Sequence, residues 1–228
     1  LAIGLVPVAL ALPAYLRRLR AVIRAGRPDI LHTNGFKAHI AGARASGDAA
    51  VVWHMHEYVG GRRVTSALLA RQQRRVGAVL ANSRSVADDV LAALHPHVPV
   101  RVIHNGPEGR VEDLDRRAGL MPPDRPVVRI GLVATFARWK GHDVFLRALA
   151  RLPKDEPVRG YIIGGPVYDT AGSQHTMEEL QALAAGLGLT GRVGFTGFLP
   201  AAPAMRALDV VVHASTRREP FGLVIAEA

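Results

Sequence analysis

Two carboxylates, two basic side chains and a set of strand-end glycines in this 228-residue chain could grip an anionic, hydroxyl-rich ligand. The stretch "ATFARWKGHDVF" places Arg138 and Lys140 between a strand-like run and a helix starting near His142. A helix start offers unpaired N–H groups and partial positive charge to an anion. Arginine adds a planar fork and lysine a compact charge; solvated surface is the competing explanation for both. "YIIGGPVYD" sets Gly164 and Gly165 at a strand end, where missing Cβ atoms let backbone approach a ligand closely. The closing "EPFGLVIAEA" holds Glu219 and Glu227 with seven residues between them. Pro220 suits the first turn of a helix, and Phe221-Gly222 can expose N–H groups to an anion. A helix running through the stretch would separate the two carboxylates by roughly 12 Å along its axis. An acid/base pair flanking one bond needs roughly 5–9.5 Å. The wider spacing suits hydroxyls at opposite ends of one elongated ligand; alternatively Glu219 caps the helix and Glu227 is exposed surface.

The elements that must position these residues follow a steady rhythm. "DILHT", "AVVWHMH", "AVLAN" and "VRVIHNG" read as buried strands, with helical patterns between them. After a stretch rich in charge, proline and glycine (Pro107–Pro126), which reads as a connector, the alternation resumes. "VVRIGLVAT", "RGYIIGG", "RVGFTG" and "VVVHAS" are its strands, and "HDVFLRALARL" and "TMEELQALAAGLGL" its main helices. Continuous apolar strands alternating with helices predict parallel sheets covered on both faces. The fold class is therefore α/β, with two Rossmann-like parallel-sheet domains over residues 1–117 and 126–228. In such sheets ligands collect beyond the carboxyl ends of the strands. Those ends carry His32, His54, His56, Thr135 to Lys140, Gly164-Gly165, Gly197 and Ser215 to Glu219.

Composition narrows the chemistry. The chain has no cysteine, which removes disulfides and thiolate metal sites and is compatible with a reducing compartment. Its formal charge is +10, which favours an anionic partner or reflects a general use of arginine. The opening "LAIGLVPVALALPAYLRRLR" imitates a membrane anchor but contains Pro7 and Pro13 and falls short of the roughly 20 apolar residues a crossing requires. It reads as an amphipathic helix from Pro13 to Ala25, with peripheral membrane contact as the alternative. No G-x-G-x-x-G follows a strand and no Walker loop is present. Few aromatics besides Trp53 and Trp139 exist to stack bases, so nucleic acid is disfavoured.

Taken in order, "RPDILHTNG", "VVWHMHEY", "VLANSRSVADDV", "VIHNG", "WKGHDVFLRALARL", "YIIGG", "GLTGRVGFTGFLP" and "LDVVVHAS" before "EPFGLVIAEA" resemble the retaining glycosyltransferase family 4. Its members have the two-domain GT-B fold and a Glu–seven residues–Glu motif. The resemblance implies transfer of a sugar from a nucleotide diphosphate donor to an acceptor hydroxyl with retained configuration, without metal or cofactor. Glu219 would hydrogen-bond sugar hydroxyls, Glu227 would hold the ribose and Lys140 would neutralise the departing diphosphate. The N–H groups of Phe221 and Gly222 would lie near the donor phosphate. Gly197, Phe198 and Leu199 would meet the base, and Gly164 and Gly165 would line the donor pocket. His56 would face the transferred sugar, with His54 as the rival on the same side of the strand.

The family usually has an arginine where Thr135 stands, and Arg138 is the candidate replacement. The resemblance also implies that both units lack part of their length, the first its opening strand and loop, the second its C-terminal part. A sugar, a lipid-linked molecule or a small molecule is the implied acceptor, and the implied location is cytoplasmic, at or near the inner face of a membrane. A non-catalytic fragment, a sugar-nucleotide epimerase and a phosphorylase are the alternatives within this architecture.

Overall fold

A computed structural model describes residues 5–105, 114–167 and 172–228, and the chain divides into two compact units, Leu1–Asn105 and Gly106–Ala228. The first unit runs α1 (Leu5–Gly26), β1 (Ile30–Asn34), α2 (Phe36–Ala45), β2 (Ala50–Met55), α3 (Arg63–Ala70), β3 (Val76–Ala81), α4 (Arg84–Leu94) and β4 (Val100–Val102). Its strands are all parallel, in the order β1-β2-β3-β4. Alternate residues of β2 and β3 face a core of Val51, Trp53, Met55, Val79 and Ala81, on which Leu69 of α3 and Val86 and Val90 of α4 pack. Residues on the other face, among them Val52, His54 and Leu80, stay only partly buried. Helical cover on both faces was expected from the apolar strands; in this unit the described helices bury one.

α1 begins well before Pro13 and carries that proline inside it. The flanking alanines and leucines have high helix propensity, which offsets the single N–H lost. No described helix is long and apolar enough to cross a membrane. The entry to α4 follows sequence rules: Ser83 caps it, its side chain accepting from Val86 N at 3.1 Å.

The second unit runs α5 (Leu114–Arg117), β5 (Val128–Val133), α6 (His142–Leu149), β6 (Val158–Ile163), α7 (Met177–Gly186), β7 (Val193–Gly197), α8 (Ala201–Arg206), β8 (Val210–Val211) and α9 (Leu223–Glu227). Its parallel sheet has the order β7-β6-β5-β8. Here both faces are buried, which is why "YII" reads as an unbroken apolar run. Leu132 and Ile162 face Phe145, Leu146 and Leu180, whereas Val133, Tyr161 and Ile163 face Leu114, Ala204 and Met205.

The connector expected over Pro107–Pro126 lies partly outside the described residues. Its remainder contains α5, and Leu114 is buried in the core of the second unit. Residues 114–117 therefore pack with the second unit, although the sequence reading placed them in the first. Asp115 fastens them there. Buried under the sheet, it accepts from Tyr161 Oη at 2.5 Å, Arg129 Nη2 at 2.8 Å and Arg159 Nη1 at 3.2 Å. Burial opposes its ionisation, but these donors outweigh that and hold the carboxyl below its ordinary value. Burial and the Asp115 contact push Tyr161 up to about 12.

Candidate functional site

The strand order of the second unit reverses between β5 and β8, since the chain builds from β5 through β6 to β7 and then returns to β5's other side. Ligands bind outside the carboxyl ends of strands at such a reversal. Lys140 follows β5 and Glu219 follows β8, and they meet there: Lys140 Nζ donates to Glu219 Oε1 at 2.5 Å. Ser215 Oγ reaches the same oxygen at 2.7 Å and His213 Nε2 at 3.1 Å. Lys140 Nζ also sits 4.3 Å from the centroid of the Trp139 ring, a favourable cation–π distance. Burial would raise the Glu219 pKa, but Lys140, Ser215 and His213 together hold it below the usual carboxylate value. Glu219 is therefore ionised at neutral pH, beside a lysine able to share its charge.

Backbone contacts lock the two loops together. Thr216 N donates to the Trp139 carbonyl at 2.8 Å. Gly141 adopts φ +75°, and a Cβ added to it would lie 2.0 Å from the Ala214 carbonyl oxygen. Gly164 is similar, with φ +136° and the Ala134 carbonyl oxygen 2.0 Å from an added Cβ. Gly141→Ala is expected to lower stability by about 2–3 kcal/mol, because strain and overlap with backbone act together. Denaturant unfolding of the two proteins measures it, and equal midpoints would contradict the packing described.

Gly164, Gly165, Gly197 and Phe198 come together as a second group at the ends of β6 and β7. Gly164 N donates to the Gly197 carbonyl at 2.8 Å, and Phe136 N to the Gly165 carbonyl at 3.0 Å. The Phe198 ring lies against bare backbone: a Cβ on Gly165 would be 2.8 Å from its Cε2. Phe198 is nonetheless 59% exposed, so an aromatic face is open beside a glycine wall. Leu199 turns inward onto the core that contains Ile163.

Other residues are placed differently from the sequence expectation. Arg138 turns to α7: its Nη2 donates to Glu179 Oε2 at 3.0 Å and its Nε to the Gly172 carbonyl at 3.2 Å. Glu179 is the third helical residue in the capping box with Thr176, so Arg138 tethers the loop after β5 to the start of α7. Arg138→Ala is expected to lower stability by less than about 1 kcal/mol, the ion pair being exposed. It should leave ligand-induced stabilisation intact; a thermal-shift comparison checks both. At the C-terminus, α9 begins only at Leu223, with Gly222 at φ +73° before it. Pro220 and Phe221 thus precede the helix, and the roughly 12 Å separation of Glu219 and Glu227, which assumed continuous helix, does not hold. Glu227 is the last residue of α9 and is half-buried.

In the first unit, His56 immediately follows β2. Its ring lies 4.0 Å from that of His54, which stacks on His32 at 5.2 Å. Burial and neighbouring imidazoles lower the pKa values of both His54 and His56, so both rings are neutral at pH 7. The structure therefore assembles a histidine group of which the sequence pointed to two members as ligand contacts. His32 was visible only as a strand end. His213 was missed, although it stands two residues before Ser215 in the run "VVVHAS", which reads as a strand. Among the described residues no group of three or more histidine, aspartate or glutamate side chains is arranged to hold a metal ion.

Known proteins align with this architecture. Residues 3–107 match the family model Glycosyltransferase Family 4, and residues 113–228 match Glycosyl transferases group 1. The lipopolysaccharide core biosynthesis glycosyltransferase LpsE of Rhizobium meliloti is 32% identical over 157 residues, covering 68% of this chain and 42% of LpsE. The crystal structure of Anabaena HepE in complex with UDP superposes with a TM-score of 0.76 at 26% identity, covering 92% of this chain and 60% of HepE. HepE structures with UDP and glucose and with UDP-glucose match similarly. Sucrose-phosphate synthase from Thermosynechococcus elongatus shares the fold, with a TM-score of 0.74 at 19% identity. The chain thus spans less than two thirds of the length of LpsE and of HepE. With two parallel-sheet units in GT-B order and the group 1 model matched over more than half its residues, this chain belongs to the glycosyl transferases group 1 family.

Proposed function

We propose that this chain carries the donor site of a retaining glycosyltransferase, which moves a sugar from a nucleotide diphosphate sugar to an acceptor hydroxyl. The observation that carries the reading is the Lys140–Glu219 pair at the β5/β8 reversal, beside the glycine wall and exposed Phe198. The base lies against Phe198 and the backbone of Gly165 and Gly197, and Glu227 holds the ribose. Glu219 accepts from sugar hydroxyls.

As the glycosidic bond breaks, the sugar becomes oxocarbenium-like and negative charge grows on the diphosphate. Lys140 interacts more strongly with that charge than with the bound donor, so it lowers the barrier rather than only tightening binding. The departing diphosphate and the incoming hydroxyl share one face of the sugar: the acceptor oxygen bonds to the anomeric carbon as the bond to the phosphate oxygen breaks, the hydroxyl proton passes to that phosphate oxygen, and the configuration is retained. UDP and UDP-glucose in HepE support a nucleotide diphosphate sugar as the donor class.

A thermal-shift series with UDP, GDP, ADP and their glucose conjugates tests the reading. A ligand at a hundred times its Kd stabilises the folded state by about 2.7 kcal/mol. At least one diphosphate is expected to act so, and Lys140→Ala is expected to shrink the shift without abolishing it. Release of free nucleoside diphosphate in the presence of an acceptor distinguishes transfer from epimerisation, which would return an isomerised donor. No shift with any of the six ligands would overturn the proposal.

A further inference from the structure

Three donors converge on one oxygen of Glu219: Lys140 Nζ, Ser215 Oγ and His213 Nε2. Ser215 Oγ also lies 3.2 Å from His213 Nε2, so the hydroxyl and the imidazole share one small polar cluster around Oε1. An ionised carboxylate can only accept, so His213 presents Nε2–H to it and carries the corresponding tautomer. The segment holding these groups has little sheet support. β8 ends at Val211, after which Val212 N donates to the Gly131 carbonyl and Thr216 N to the Trp139 carbonyl. Beside those two ties, His213 and Ser215 add side-chain contacts to Glu219 Oε1.

Such redundancy has a consequence for the cycle proposed above, on which this inference rests. If Lys140 turns to the diphosphate, Glu219 loses its shortest contact and its counter-charge while its side chain is only 14% exposed. His213 Nε2–H and the Ser215 hydroxyl stay on Oε1 when Lys140 leaves it. We infer that His213 is a positioning residue: its Nε2–H on Oε1 holds Glu219 toward the sugar while Lys140 is engaged with phosphate. Lys140 and Glu219 then act at different parts of the donor without the second losing its place. His213 touches no reacting atom in this scheme; it acts through Glu219.

The test uses the 228-residue chain with His213→Ala and His213→Gln, because the glutamine amide can return a donor near the Nε2 position. The first readout needs no ligand: the Glu219 carboxyl is titrated by carbon NMR and assigned with Glu219→Gln. Loss of one hydrogen bond should raise its midpoint by about 0.5–1 pH unit in the alanine variant, and glutamine should restore it. The second readout is calorimetric affinity for the diphosphate chosen by the thermal-shift series and for its glucose conjugate. His213→Ala should keep diphosphate affinity within about twofold and lose about tenfold for the conjugate, with glutamine again restoring it.

An unmoved Glu219 titration in a nucleotide-binding chain overturns the assignment of His213 alone. Equal losses for both ligands, in a chain unfolding at a lower temperature, would reduce His213 to a loop staple and overturn it as well. A wild-type chain that binds none of the nucleotides overturns the functional reading and, with it, the sugar-holding role.

Discussion

Lys140→Ala is expected to cut sugar transfer by about 100- to 1,000-fold, the loss seen when one preorganised partner of developing charge is removed. The size follows from where Lys140 stands. Its side chain is only 18% exposed and lies over Trp139, so water screens its charge poorly. In this structure that charge is shared with Glu219 Oε1 at 2.5 Å. A diphosphate brings more negative charge than one carboxylate, and an ammonium group has three donors to distribute. The loss should therefore appear mainly in kcat, with a smaller loss of donor affinity.

Glu219→Gln should behave differently. It removes the carboxylate but leaves a carbonyl for Ser215 and His213, so diphosphate affinity should persist while discrimination among sugars falls. Steady-state kinetics of both variants beside their unfolding curves separates these effects from simple destabilisation. A Lys140→Ala protein with unchanged kcat would remove the lysine from the mechanism.

Much of the fold was legible because the physics is local. The unbroken apolar run of β6 announces a strand buried on both faces, and Thr176 with Glu179 announces the start of α7. Lys140 and Glu219 were legible as candidates for a related reason, since each follows a recognisable strand and βα loops carry ligand contacts. What was illegible depends on partners far apart in the chain. Arg138 looked like a phosphate ligand until the fold brought Glu179 to it. Asp115 looked like connector, yet its partners Arg129, Arg159 and Tyr161 lie on neighbouring strands that only the sheet aligns. The start of α9 was misjudged because the left-handed backbone at Gly222 delays the helix past Pro220. His213 is a local miss: its partners Ser215 and Glu219 lie two and six residues on, in irregular backbone after β8 that no sequence period describes.

Mild acid should destabilise both units through two histidines that the proposed mechanism leaves unused. His39, on α2, is fully buried, and its Nδ1 lies 2.8 Å from Thr33 Oγ1. The Thr33 hydroxyl donates to the Val52 carbonyl at 3.1 Å, so it accepts from Nδ1–H, and Nε2 keeps a bare lone pair with no partner. A proton added at Nε2 would find neither water nor an acceptor, and burial with the charges of His56, His54 and His32 lowers the pKa to about 4. His142, the first residue of α6, is equally buried, packs edge-on to Phe136 and is lowered to about 4, chiefly by burial.

In the unfolded chain both would titrate near 6.5, so between that pH and about 4 the unfolded state binds the protons first. Stability is therefore full above pH 6.5 and falls as the pH drops toward 4, by up to about 3 kcal/mol for each histidine. Against a total of roughly 5–15 kcal/mol, the pair is enough to bring the chain near unfolding. Glu219 and Asp115, both held below their ordinary values, add their losses only at lower pH. Denaturant unfolding at pH 7.5, 6.5, 5.5 and 4.5 measures the slope. His142→Leu should reduce it by at most about 1.4 kcal/mol per pH unit, the linkage of one proton, and His39→Asn should do the same while keeping a polar partner for Thr33. A slope unchanged by either substitution would mean that these imidazoles accept protons in the folded chain as readily as in the unfolded one.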